Sequence, residues 1–264
     1  MSGRDRYEFD VDDGAALDAR VDSGSIEIRN GAAGRITVSA SGGDDDWEIE
    51  GSSSGVSIRP VKRWRVRSAR VVVDVPVGTR VDVKSASASV RLAGTYGETS
   101  LRSASGDLLI GTPASVSAAT ASGDVRVEGV EADASMTTAS GDVEVGRVGG
   151  RLSVTTASGD VRVAAVEGDL RVGTTSGDVR VDRSNGSDIA VKSVSGDVTL
   201  GLPSGIRVEP DLTTLSGRTN LPVPAPPSAT RRPGETATAS PPDRRTVTIN
   251  VRTVSGDITI TRAD

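Results

Sequence analysis

The chain has 264 residues, of which 35% are hydrophobic, and a formal net charge of −5; its aromatic content is two Trp, two Tyr and one Phe. It contains neither cysteine nor histidine. Their lack excludes disulfides, thiolate metal sites, Cys nucleophiles, an imidazole base and the commonest transition-metal ligand. The mild acidity carries no polyanion-binding signal, so no nucleic-acid partner is expected.

The opening stretch, MSGRDRYEFDVDDGAALDA, holds no apolar run of signal-peptide length. No stretch approaches the roughly 18 apolar residues that span a bilayer. As written, the chain is expected to be cytoplasmic, with the cell envelope as the alternative. Residues 1–75 read as short alternating runs broken by Gly, Asn and Asp, such as DARVDSGSIEIRN, GRITVSAS, GVSIRP and ARVVVDVPVG. They are expected to form irregular β coils or a cap. All five aromatics (Tyr7, Phe9, Trp47, Trp64 and Tyr96) precede residue 97, which favours a cap with its own thicker core. Within this region DSGSIEI, from Asp22, looks like a worn copy of a phrase that recurs downstream.

Two charged runs stand out in the same segment. GGDDDWEIE, with Asp44, Asp45 and Asp46, reads as a solvated turn. VKRWRVRSAR places Lys62, Arg63, Arg65 and Arg67 around Trp64 and is a candidate contact patch. Only three of the chain's basic residues are Lys (Lys62, Lys84 and Lys192), so Arg-richness is a chain-wide habit, which weakens the patch argument.

From residue 76 the chain is periodic. Ser-Gly-Asp occurs at Ser105, Ser122, Ser140, Ser158, Ser176 and Ser195, at intervals of 17, 18, 18, 18 and 19 residues, and again at Ser255. Degenerate copies extend the series to SAS at Ser87 and SGR at Ser216. Apolar residues fall in columns: Val125/Val127, Val143/Val145, Val161/Val163 and Val179/Val181 after the phrase, then Leu152/Val154 and Leu170/Val172. Alternation at period two predicts strands with one buried face, two per repeat. Where the interval slips, it slips in a turn, because a one-residue slip inside a strand would turn the apolar face outward.

A unit of 18 residues buries too little to fold by itself, and stacking neighbours is the remedy. The fold class is therefore all-β, a single-stranded β-solenoid of ~18-residue coils, with like side chains about 4.8 Å apart. Residues 76–220 form its repeats. Residues 221–245 carry seven prolines with Ser, Thr and Arg and read as a disordered insertion. Residues 246–264 resume the pattern as a final coil.

In the recurring phrase, Gly106, Gly123, Gly141, Gly159, Gly177 and Gly196 are candidate corner residues that supply positive φ. Asp107, Asp124, Asp142, Asp160, Asp178 and Asp197 would stack into a column of like charge. Neighbours at ~4.8 Å repel by ~0.9 kcal/mol in water and about 3.5 kcal/mol at an effective dielectric of 20. Turn N–H groups, neighbouring Arg or bound Ca²⁺ would have to offset this. Calcium β-rolls use a G-G-x-G-x-D nonapeptide, whereas one Asp per 18 residues is a sparse ligand supply. These aspartates are thus metal candidates only by their stacking, and no cofactor is expected. Outward positions Arg126, Arg162 and Arg180 are interrupted by Glu144, the mixture of a solvated sheet face. No acid–base or nucleophile constellation converges, so no enzyme is expected.

VVVDVPVGTRVDVKSASASVRLAG from Val71, followed by the SGDV copies, resembles the bacterial putative-adhesin family catalogued as domain of unknown function 4097. The resemblance covers roughly residues 15–262, including the Val-Pro-x-Gly step at Val75, Pro76, Val77 and Gly78. It implies a β-repeat architecture, brings no catalytic residues, and makes adhesion or envelope-stress binding at the cell surface an alternative function. The expected function is a non-enzymatic binding or scaffolding module for an unknown protein or polymer. A calcium-stabilised fold and self-association by end stacking are further alternatives.

Overall fold

Strict alternation of inward Val, Leu and Ile with outward polar residues builds strands whose two faces differ along the whole repeat array. The computed structural model describes residues 4–41, 46–61, 69–204, 206–221 and 246–263. The strands run β1 (Arg4–Asp10), β2 (Ala16–Asn30), β3 (Arg35–Ser41), β4 (Trp47–Ser52), β5 (Gly55–Pro60), β6 (Ala69–Val75), β7 (Arg80–Ser105) and β8 (Leu108–Ser122). Then come β9 (Val125–Val130), β10 (Ala134–Ser140), β11 (Val143–Val148), β12 (Leu152–Ser158), β13 (Val161–Val166), β14 (Leu170–Ser176) and β15 (Val179–Ser184). The last six are β16 (Asp188–Lys192), β17 (Val198–Pro203), β18 (Arg207–Ser216), β19 (Thr219–Asn220), β20 (Thr246–Ser255) and β21 (Ile258–Ala263). There is no α-helix among the described residues.

Each coil contributes one strand to each of two parallel stacks. One stack, face A, runs β9–β11–β13–β15–β17–β21–β19. The other, face B, runs β8–β10–β12–β14–β16–β20–β18. Register is strict: Val143 faces Val125 and Val161, and Leu152 faces Ala134 and Leu170. The 17- and 19-residue intervals are absorbed at the corners, since Val116 still pairs with Ala134 and Ile189 with Leu170. The core is a thin slab of aliphatic side chains between the faces, with Val143, Val145, Leu152 and Val154 all buried.

At the start of the stack the order in space departs from the order in sequence. β2 is a full coil, turning at Asp22 to Gly24, and Ser23 pairs with Ser87 as the worn phrase suggests. On its other side β2 pairs with β5 through Ala16–Ala19 and with β6 through Gly24–Asn30. The first coil of the chain is thereby sandwiched between strands β5 and β6 on one side and the repeats on the other. Antiparallel strands then close this end: β4 on β5, β3 on β6 and β1 on β3. Trp47 is buried there and donates its Nε1–H to the Ser41 carbonyl at 3.2 Å, while Tyr7, Phe9 and Ile49 pack against the core. Tyr96 lies within the repeats instead, fully buried, with its hydroxyl donating to the Ile28 carbonyl at 2.7 Å.

The far end mirrors this device. β20 pairs with β16 on one side and β18 on the other, and β21 lies between β17 and β19. The last coil in sequence, residues 246–263, is therefore the penultimate coil in space. Residues 207–220 form the outermost one.

Candidate functional site

The corner phrase can be built atom by atom. Gly141 takes φ +140, and a Cβ there would strike the Gly123 carbonyl oxygen of the coil below. Gly106, Gly123, Gly159, Gly177 and Gly196 share this conformation, as does Gly256. The N–H of Gly141 donates to the Ser158 carbonyl of the next coil at 3.1 Å, and that of Val143 to the Asp160 carbonyl at 2.9 Å. The Asp N–H between them points the other way, toward the previous coil, and needs an acceptor there.

The carboxylate supplies it. Asp142 N–H donates to Asp124 Oδ1 at 3.1 Å, Asp160 N–H to Asp142 Oδ1 at 2.9 Å, and Asp178 N–H to Asp160 Oδ1 at 3.0 Å. The ladder begins with Asp107 accepting from Asp124 and runs on through Asp197 to Asp257, which accepts from the Arg218 N–H at 2.8 Å. One charge-assisted hydrogen bond per coil offsets the column's repulsion. Arginine adds to it: Arg162 lies 2.8 Å from Asp160 and 3.8 Å from Asp142. The residues stacked by the repeat are thus corner carboxylates bonded to the backbone. A second, shorter ladder lies at the opposite corner, where Asp133 Oδ1 accepts from Arg151 N–H and Asp169 Oδ1 from Asp188 N–H. Sequence periodicity shows where these aspartates stack; that each carboxylate serves its neighbour's N–H is visible only in the geometry.

The outward side of face A carries the other candidate residues. Arg126, Glu144, Arg162 and Arg180 stand opposite one another on successive coils, and the same row continues back through Leu109, Arg91 and Glu27. Glu144 Oε2 accepts from Arg126 Nε at 3.0 Å, and this bond, then the Coulombic pull of Glu144, raises the Arg126 pKa above its ordinary value. Between this row and Glu128 and Asp182 lies a shallow groove of about 380 Å³, lined also by Gly146 and Ala164. Small residues at these two outward positions make the groove, a signal legible in the sequence but missed there. The contact patch at Lys62, Arg63, Trp64, Arg65 and Arg67 lies outside the described residues, as do Asp44 and Asp45. Among the described residues, no group of three or more acidic side chains is placed to hold a metal ion.

A continuous two-faced stack of parallel coils, cornered by Gly and laddered by Asp, defines a β-solenoid. The chain belongs to the Toastrack DUF4097 family, whose profile matches residues 21–261. Similar crystal structures include a putative adhesin from Parabacteroides distasonis ATCC 8503, 12% identical, covering 98% of this chain and 97% of that one with a TM-score of 0.35. A putative adhesin from Bacteroides fragilis NCTC 9343 is 12% identical, with 98% of each chain covered and a TM-score of 0.34. A putative lipid binding protein from Parabacteroides distasonis ATCC 8503 is 11% identical, covering 98% and 96% of the two chains with a TM-score of 0.39. No curated protein matches the sequence.

Proposed function

We propose that this protein is a non-enzymatic binding or scaffolding module, and that it binds an extended protein or polymer laid across the coils of face A. One observation carries the reading: the row Arg126, Glu144, Arg162 and Arg180, held in register on a rigid stack beside a groove. A partner with charges repeated along its length would meet this row at fixed intervals, and little ordering cost would fall on the solenoid side. The chain has no His or Cys to serve as base or nucleophile, and Lys84 is paired with Asp82 at 3.3 Å, which supports binding over catalysis.

The test is in-cell crosslinking followed by mass spectrometry. Partners held by the native chain are expected to be lost from an Arg162→Glu, Arg180→Glu variant. Full retention by that variant would show that face A is not the binding surface. Adhesion at the cell surface is the second reading. It enters through the family and through solved structures named as adhesins. Cell fractionation separates the two, since recovery from the cytosol alone would sink adhesion.

A further inference from the structure

The two ends of the stack are built differently. At the β1 end, antiparallel strands cover the core, and the inward residues Val56, Ile58, Val71 and Val73 are buried. At the β18 end nothing among the described residues covers the last coil. Its Val208 and Leu212 are only partly buried, and Leu215 and Leu221 are 83% and 40% exposed. Ser195, Ser255 and Ser216 stand in one column, so Val194, Val254 and Leu215, each one residue earlier, form an exposed aliphatic ridge leading to this end.

This end also refuses another parallel coil. The Asp ladder stops at Arg218, which offers no carboxylate to a following N–H. Thr248 N–H donates to Ser187, away from β18, so the next residue, Ile249, turns its N–H toward β18. Pro210 pairs with Ile249 and occupies the equivalent place in the outer coil, so its ring nitrogen faces outward, where a further strand would need a donor. Head-to-tail stacking is thus opposed at both ends. An apposition about a two-fold axis is not, because it needs neither the ladder nor the missing donor.

We propose that the open end docks a second copy of this chain, β18 end to β18 end, as a closed two-fold dimer. Glu209 and Asp211 lie near the start of β18 and Arg218 lies just beyond its close. Asp211 is already paired with Arg252 at 3.6 Å and accepts from Asn250 Nδ2, so antiparallel apposition sets Glu209 of each copy against Arg218 of the other, with the exposed Leu215 brought near the axis. An isologous contact of this kind closes at two subunits and does not grow into fibres. The proposal is independent of the face A reading.

Light scattering on the eluting full-length chain tests it. The expected mass is twice 27.0 kDa, falling to one chain on dilution. Leu215→Asp, on an already exposed side chain, is expected to give a monomer that still unfolds cooperatively, with a melting temperature that no longer depends on protein concentration. Arg218→Glu is expected to weaken the dimer, and adding Glu209→Arg to restore it. Since the chain has no cysteine, oxidised Thr213→Cys should trap a dimer while Glu48→Cys, at the closed end, should not. A monomer at every concentration, a mass that grows without limit, or a dimer indifferent to Leu215→Asp would each overturn the proposal.

Discussion

Gly141 combines a positive φ with a carbonyl oxygen standing where its Cβ would be. A β-branched side chain there must strain its own backbone and push a neighbouring coil away. Gly141→Val is expected to cost roughly 3–5 kcal/mol in urea unfolding. Glu144→Arg, exposed three residues on, is expected to stay within about 1 kcal/mol, because it trades one surface ion pair for modest repulsion. Equal small effects would show that the corner is not sterically tight. Tyr96 makes a second residue-scale case. Burial is the main cause that pushes its phenol pKa well above the usual 10. A raised folded-state pKa means that the stabilisation is complete below about pH 10 and is lost as pH rises beyond it. Tyr96→Phe is therefore expected to cost about 1 kcal/mol at neutral pH, through the lost bond to Ile28, and to flatten the alkaline fall in the urea midpoint. A wild-type midpoint that does not fall up to pH 11 would contradict this.

At the scale of the element, the period of the sequence was the decisive signal, because a strand with one buried face tolerates no slip. The columns Val125/Val143/Val161/Val179 and Leu152/Leu170 sit in the register their spacing predicts. The corners took the irregular intervals. Removing one whole coil should then be mild. Deleting residues 143–160 joins Asp142 directly to Val161 and leaves every column continuous, so the shortened chain is expected to unfold cooperatively with a slightly lower midpoint. Deleting nine residues instead would place a face A strand on a face B strand and is expected to abolish cooperative unfolding. Circular dichroism on both deletions checks this; similar behaviour of the two would show that the stack lacks strict register.

For the whole molecule, the laddered carboxylates bear on the calcium reading. Each Oδ1 from Asp107 through Asp197 already holds a backbone N–H, so no cation is required to hold the corners together. Millimolar Ca²⁺ is accordingly expected to leave the melting temperature unchanged; a clear rise would revive a calcium-stabilised stack. The end coils show a further economy. A terminal coil rests on one neighbour and frays first. Here the first and last coils in sequence, residues 16–30 and 246–263, each rest on two. The ladder explains the order at the β18 end, because a sequential stack would put Arg218 beneath Asp257 and leave the Asp257 N–H without its carboxylate.

Periodicity alone determined the strands, their inward columns, the Gly corners and the solenoid class, because each follows from local alternation and repeat spacing. It also located the Asp column and the Arg/Glu row, though not their partners. Only the tertiary structure decided which coils are neighbours at the two ends, that the aspartates bond to backbone N–H groups, and that no described residue covers the core at one end. Those are non-local choices. A coil of this repeat fits beside almost any other, and the selection is made by single residues such as Arg218 and Pro210, whose meaning depends on what they face.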